Sequence, residues 1–301
     1  MTVINTNVAA SITANALTKN ERAMSQAMER LSTGQRINNA GDDAAGLAIS
    51  SRMTTYINGL DMAARNANDA ISMIQTADGA LIEVTSMLQR MRELVIQAAS
   101  GTMSTTDVSA LNTEFGLLED QIQEIAKNTE WNGTKLLDGT IGTNTSVSFH
   151  VGAGASQTIS VNFYDLNTDF NATNSNTVAT NTYGLLVGLG TAGVNSGTGD
   201  TGDLADQSVN STSVLTYLDN GISNINTQRA TFGATINRLE YAADNLKNIS
   251  QNTLASRSRI LDADYAAETT ELAKSQIIQQ AATAMLSQAN QQAQSVLALL
   301  K

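Results

Sequence analysis

One apolar seam constrains this chain more than any other feature, because it runs without a break from residue 49 to residue 98. Alternate steps of four and three residues meet only apolar or aromatic side chains, namely Ile49, Met53, Tyr56, Leu60, Ala63, Ala67, Ala70, Ile74, Ala77, Leu81, Val84, Leu88, Met91, Val95 and Ala98. This is the a/d spacing of a helix that packs against neighbours along its whole length. At a rise of about 1.5 Å per residue, the helix would be roughly 75 Å long. We therefore expect a mainly α-helical, rod-like protein.

Two further segments have the same apolar period. The shorter is marked by Leu111, Phe115, Leu118, Ile122 and Ile125, and the longer by Leu215, Leu218, Ile222, Ile225, Arg229, Phe232, Ile236, Leu239, Ala243 and Leu246. Arg229 is the one polar residue in the longer series. Seams of equal period can bury one another in an antiparallel, coiled-coil-like bundle, so the simplest interpretation is an intramolecular core.

Between these segments the pattern changes from helical to β. The dipeptides Asn132-Gly133 and Asp138-Gly139 are typical of tight turns. Apolar residues then alternate in 147–151 and again in 159–163, which predicts a β-hairpin. Residues 166–210 are rich in Asn, Thr, Gly and Ser and show little periodicity, so we expect a short surface insert there.

Both ends of the chain have helical apolar spacing but no charged side chain, in residues 2–18 and again in 275–300. A solvent-exposed helix normally carries Lys and Glu on its polar face. A disordered, Gln-rich tail is one explanation. The other is that both ends pack beside identical copies, where like charges would repel one another. On that second view the contacts between copies are made by the apolar residues Val8, Ile12, Leu17, Met24, Leu31, Ile278, Met285, Val296, Leu297, Leu299 and Leu300.

The composition excludes several kinds of chemistry. The sequence has no cysteine, no proline and a single histidine, His150, so it offers no thiolate site and no His-rich metal site. We predict no catalytic residue, no cofactor and no metal. A net charge of −11 disfavours nucleic-acid binding. The absence of any run of about 18 apolar residues argues against a membrane span, and the first residues lack the features of a cleaved secretion signal.

Asp42 and Asp43 form the one pair of adjacent carboxylates that invites a chemical interpretation. They lie in an interruption, GQRINNAGDD, directly before the long seam. A catalytic or calcium site would need further ligands or a base nearby, and none is apparent. Acidic side chains at a helix start bind the free backbone N–H groups, so we predict a helix cap at a joint between two helices.

Several long motifs, in order, closely resemble those of the bacterial flagellins. They are LSTGQRINNAGDDAAGLAIS, ISMIQTADGALIEVTSMLQRMRELVIQAAS, NGTKLLDG, SRILDADYAAE and the final segment QANQQAQSVLALLK. The resemblance covers about 1–165 and 210–301. It implies that 1–42 pairs with 262–301 in the inner core of a filament. It further implies that 43–165 and 211–261 form an outer helical rod with the hairpin, and that 166–210 is a variable insert.

The same resemblance implies a function and partners. The chain would be exported unfolded through a flagellar type III channel and would assemble with many copies of itself into the extracellular filament that propels the cell. An export chaperone and the cap and junction proteins would be further partners. The segment LQRMRELVIQ resembles the part of flagellin that an animal Toll-like receptor recognises, which places Gln89, Arg90, Glu93, Leu94 and Glu114 at that contact. The leucine-rich C-terminal segment resembles the region that inflammasome receptors sense.

Two other functions stay open from the sequence. A hook–filament junction protein has the same terminal helices but occurs in few copies. A type III secreted effector or enzyme belongs to a different class, for which the chain offers no plausible catalytic set.

Overall fold

The computed structural model describes residues 7–100, 102–142, 145–166 and 210–298. Contacts divide the chain into two compact units, one formed by 1–58 with 249–301 and the other by 59–248. The elements, in chain order, are the helices and strands α1 (Val8–Thr33), α2 (Ala44–Ala98), α3 (Thr105–Asn128), β1 (Glu130–Trp131), β2 (Thr134–Lys135), β3 (Ser146–His150), β4 (Thr158–Asn162), α4 (Asn210–Leu261) and α5 (Tyr265–Ala298). The predicted insert 166–210 lies almost wholly outside the described residues. The mainly α-helical fold with a small β-hairpin region is confirmed.

The long seam of α2 is the core of the second unit. Every predicted seam position from Leu60 to Ala98 is less than a tenth exposed. The prediction is wrong for Ile49 and Tyr56, which are 37% and 45% exposed, whereas the neighbouring Ser50 and Ile57 are buried. A straight α-helix drifts relative to a 3.5-residue repeat, so a periodic apolar series need not stay on the buried face along its whole length.

Helix α4 packs on the same core. Leu218, Ile225, Phe232 and Leu239 are fully buried. The polar position of the series, Arg229, is only partly buried, and its Nε lies 2.8 Å from Oδ1 of Asp78 on α2. A partly exposed pair of this kind contributes roughly 1 kcal/mol or less.

Helix α3 is held at its start by a capping box. The Ser104 side chain accepts from the backbone N–H of Asp107, and the Asp107 carboxylate accepts from the N–H of Ser104. The predicted apolar positions Phe115 and Ile122 are buried against the same core. The helix therefore forms where the seam predicts it, with two of its free N–H groups satisfied locally.

Two antiparallel strand pairs complete the second unit. The predicted hairpin is β3 with β4, in which Val147 pairs with Val161 and Phe149 with Ile159. The predicted turn at Asn132-Gly133 joins β1 to β2. Asn132 has φ 50° and Gly133 has φ 77°, the left-handed values that a two-residue hairpin turn requires at both positions.

The first unit consists of α1, α5, the start of α2 and the end of α4. Within this unit, the segment that follows α1 pairs with the chain at the end of α4. Gln35 forms a backbone bridge with Asp262, and the N–H of Arg36 donates to the carbonyl of Leu261 at 2.6 Å. This contact unit reaches further into α2 and α4 than the inner core expected from the resemblance. The tiers 1–42 with 262–301 and 43–165 with 211–261 describe positions in a filament, and they stay a prediction.

Among the described residues, no helix is both long enough and apolar enough to span a bilayer.

Candidate assembly surface

Helices α1 and α5 pair in an antiparallel arrangement that polar side chains fix in register. Asn7 Nδ2 donates to the carbonyl of Ala289 at 3.1 Å, and Asn20 Nδ2 donates to that of Ser275 at 2.7 Å. Further along, the Tyr265 hydroxyl donates to the carbonyl of Leu31 at 2.8 Å. Three polar side chains, spread along the length of the pair, thus join the two helices.

An ion pair adds to this register. Arg30 Nη1 lies 2.9 Å from Oε1 of Glu268, and both side chains are mostly shielded from water. Two opposite charges held in a partly buried setting attract one another more strongly than on an open surface. The pair ties the last turn of α1 to the first turn of α5.

The fully buried side chains of the helix pair are small or polar, and several of its large apolar side chains face water. The side chains of Asn20, Ala27 and Ser275 are buried. By contrast Ile12 is 64% exposed and Met285 is 63% exposed. Large apolar surface in contact with water is characteristic of a site that another molecule covers.

The residues predicted for assembly fall into three groups. The structure places Val8, Ile12, Ile278 and Met285 on the exposed surface, and Leu17, Met24 and Leu31 half-buried at the helix pair. The side chains of Val296 and Leu297, and the whole of Leu299 and Leu300, lie outside the described residues. We call the exposed apolar side chains of α1 and α5 the terminal apolar surface.

Sequence reasoning missed three members of this surface. Met28, Tyr265 and Ile277 are each more than half exposed. Met28 follows the predicted Met24 by one helical turn and Ile277 precedes the predicted Ile278, so apolar character alone could have marked both.

The terminal apolar surface has little charge along much of its length. The antiparallel register brings the charge-free residues 7–18 of α1 to the same level as the charge-free part of α5 after Ser275. Amide and hydroxyl side chains can hydrogen-bond to a neighbouring copy without the repulsion that like charges cause in a partly dry contact. The arrangement therefore suits packing beside identical neighbours.

The two adjacent carboxylates at the joint perform different tasks. Asp43 Oδ1 accepts from the backbone N–H of Gly46 at 2.8 Å, which is the N-cap contact at the start of α2. Asp42 does not cap α2. Its Oδ2 accepts from the N–H groups of Asn38 and Asn39 at 3.1 and 3.0 Å, and so fixes the turn that precedes the helix.

Replacing Asp43 with alanine is expected to lower the free energy of unfolding by about 1 kcal/mol, the usual effect of losing an N-cap acceptor. Asp43→Asn, which keeps a side-chain oxygen, should lose much less. Urea unfolding followed by circular dichroism measures both variants. Equal losses for the alanine and the asparagine variant would contradict the capping role.

The turn at Asp42 is expected to weaken in acid. The N–H groups of Asn39 and Asn38 hold the pKa of the Asp42 carboxyl below its usual range. A lowered pKa in the folded state means that the charged form stabilises the fold. This stabilisation is fully present above a pH of about 4 and is lost as the pH falls through the lowered value.

The matched variant for this pH dependence is Asp42→Asn. It should be less stable than the parent chain near neutral pH, and the difference in melting temperature should shrink steadily in acid. A difference that stays constant from neutral pH into acid would show that the Asp42 charge has no such role.

The segment predicted for receptor contact is only partly at the surface. Arg90 joins two of the other predicted residues, because its Nε lies 2.8 Å from Glu114 Oε1 and its Nη1 lies 3.1 Å from Glu93 Oε2. Gln89 is exposed beside them, but Leu94 is fully buried in the core. Direct contact of Leu94 with a receptor does not fit this placement.

The described part of the chain contains no group of side chains arranged as a metal site. Within it, no three His, Cys, Asp or Glu side chains are grouped so that they could hold a metal ion. His150 is exposed on β3, and its backbone carbonyl accepts from Asn66 Nδ2 at 3.1 Å.

Known proteins are similar to this chain in both of its helical regions and along its full length. A sequence model described as the bacterial flagellin N-terminal helical region matches residues 4–141, and one described as the bacterial flagellin C-terminal helical region matches residues 215–300. The flagellin of Bacillus subtilis is 44% identical over 307 aligned positions, which cover 99% of each chain. The flagellin of Halalkalibacterium halodurans is 42% identical over 276 positions, covering 92% of this chain and 91% of the relative.

A solved structure is also similar. The crystal structure of Bacillus cereus flagellin is 31% identical, covers 60% of this chain and 88% of that chain, and gives a TM-score of 0.46. The two sequence models and the full-length relatives carry the assignment: this chain belongs to the bacterial flagellin family.

Proposed function

We propose that this flagellin is a structural subunit of the bacterial flagellar filament, and that it polymerises through the terminal apolar surface. The observation that carries the proposal is the set of large apolar side chains that the pair of α1 and α5 leaves exposed, among them Ile12 and Met285. A helix pair of this kind becomes energetically favourable when other copies cover it, since each buried apolar Å² contributes roughly 25 cal/mol.

The filament grows because each contact joins two different faces of neighbouring copies. A contact of this type that does not close into a ring generates an open helical fibre. Residues 1–42 and 262–301 form the inner core of the filament, and 43–165 with 211–261 form the outer rod.

Export precedes assembly. The chain leaves the cell unfolded through a flagellar type III channel, and a chaperone holds the region around 277–300 until then. The lack of proline and cysteine removes the slow X-Pro isomerisation and the disulfides that would hinder threading. Cap and junction proteins are the other partners, and the location is the extracellular filament.

Recognition by animal receptors is a secondary consequence. Gln89, Arg90, Glu93 and Glu114 form an exposed polar patch on α2 and α3, which is suited to a Toll-like receptor. The leucine-rich C-terminal segment is the part of the chain that inflammasome receptors would sense. The role of the chain is structural and not catalytic.

A truncated chain without residues 275–301 tests the proposal. It should stay helical, because the core of the second unit is intact, but it should form no fibres when seeds are added. The full chain under the same conditions should give long tubes of uniform width in electron micrographs. Fibres from the truncated chain would contradict the proposal, and short caps or rings from the full chain would favour a junction protein.

A further inference from the structure

The sequence contains three Asn-Gly dipeptides, at 58–59, 132–133 and 220–221, and they lie in different environments. The first is inside α2 and the third is inside α4. The second forms the turn between β1 and β2. This gives the chain one turn-borne copy of a reactive dipeptide and two helical copies for comparison.

The turn-borne copy is exposed to water. Asn132 and Gly133 are both exposed, and a Cβ placed on Gly133 would meet no atom within 4 Å. Pairing of Trp131 with Thr134 leaves these two residues as the whole loop. The amide N–H of Gly133 therefore stands outside the paired positions of the hairpin.

We propose that Asn132 is a site of spontaneous deamidation. The backbone nitrogen of Gly133 loses its proton to water and attacks Cγ of Asn132, forming a new N–Cγ bond. The bond from Cγ to the side-chain nitrogen breaks, this nitrogen takes up a proton from water, and ammonia leaves. Water then opens the five-membered succinimide at either carbonyl and gives aspartate or isoaspartate at position 132. No oxidant, metal or enzyme takes part.

The hairpin gives this reaction the local freedom that it needs. The ladder of β1 and β2 consists of only two residue pairs, and so short a hairpin opens at little cost. Leu136 and Leu137 beyond it are buried, which anchors the base and confines the opening to the tip. Glycine adds no side chain to obstruct attack by its nitrogen.

The two helical copies are protected by the same physics. In an α-helix the glycine N–H is donated to the carbonyl four residues earlier, and ψ is held near −42°. Attack on the asparagine side chain would require several helical hydrogen bonds to open together. Asn58 lies well inside α2 and Asn220 lies inside α4, so neither can react by end fraying alone.

The product changes the hairpin in two ways. Each conversion adds one negative charge, so the net charge goes from −11 to −12. Isoaspartate also inserts a methylene group into the backbone, so a two-residue loop can no longer close in the same geometry. The aged chain would therefore carry a mixture of turn structures at this position.

The experiment is to incubate the full, folded chain at mildly alkaline pH in water enriched in heavy oxygen, and to map its peptides by mass spectrometry. Conversion at Asn132 should be at least about tenfold faster than at Asn58 or Asn220, equivalent to an opening free energy about 1.4 kcal/mol lower. In denaturant the three sites should react at similar rates, because the dipeptide is the same and the fold is gone.

The matched control is Asn132→Gln, whose longer side chain forms the ring far more slowly. In this variant the acidic isoform that accumulates on ion exchange should be lost, while the folded spectrum stays unchanged. Equal rates at the three sites in the folded chain would overturn the proposal. So would an amide at Asn132 that persists in the folded chain but converts in denaturant.

Discussion

Met285→Lys is expected to leave the monomer folded and to raise the critical concentration for polymerisation by at least about tenfold. The side chain is 63% exposed, so the lysine remains hydrated in the monomer. In a polymer the same charge would recur on every neighbouring copy. Two such charges roughly 8 Å apart at an effective dielectric constant of about 20 repel by about 2 kcal/mol.

The matched control is Met285→Gln, which is also polar and similar in length but carries no charge. It should polymerise at a concentration much closer to that of the parent chain. Light scattering after seeding, followed by electron microscopy, measures all three proteins. If the glutamine variant fails as completely as the lysine variant, charge is not what the terminal apolar surface excludes.

Phe232→Ala is expected to have the largest effect on folding. Phe232 is fully buried on α4, and its ring centroid lies 5.4 Å from that of Phe163, beside the hairpin, with the planes tilted by 52°. Removing a buried aromatic ring usually costs about 3–5 kcal/mol, through lost burial and the cavity left behind. The midpoint of urea unfolding should fall accordingly.

Tyr241→Ala serves as the comparison on the same helix, because that side chain is 78% exposed. Its free energy of unfolding should change by no more than about 0.5 kcal/mol. Similar losses for the two variants would mean that the contact between α4 and the hairpin does not contribute as the packing indicates.

The helices of the second unit could be predicted from the sequence because most of their buried residues are apolar. From Leu60 onward the α2 seam is apolar and buried at every predicted position. Arg229 is the one polar position of the α4 series. Its ion-pair partner, Asp78 on α2, could not be identified from the spacing of residues alone. Pairing across helices depends on their relative rotation, which periodicity does not fix.

The pairing of α1 with α5 could not be predicted in the same way. Asn20 and Ser275 are buried there, and neither carries a hydrophobic signal. The missing charges mark segments that lie in α1 and α5, but they do not show which apolar residues face outward. Met28 and Tyr265 lie outside the charge-free segments, so this signal did not include them.

The sequence also does not distinguish the roles of adjacent identical residues, or show which side chain of a helical segment is buried. Asp42 and Asp43 are identical and adjacent, yet one fixes a turn and the other caps α2. Leu94 was assigned to a receptor contact by resemblance, and burial removes it from the surface. Both distinctions depend on the direction of a side chain, which only the folded backbone determines.

The most direct test of the central claim is the accessibility of a thiol at position 285, before and after polymerisation. The chain contains no cysteine, so Met285→Cys gives a single reactive group. Alkylation should be fast in the monomer and slowed by at least about tenfold in the filament, because neighbouring copies cover α5. Equal alkylation rates in the two states would mean that α5 stays in contact with water, and that assembly does not depend on the terminal apolar surface.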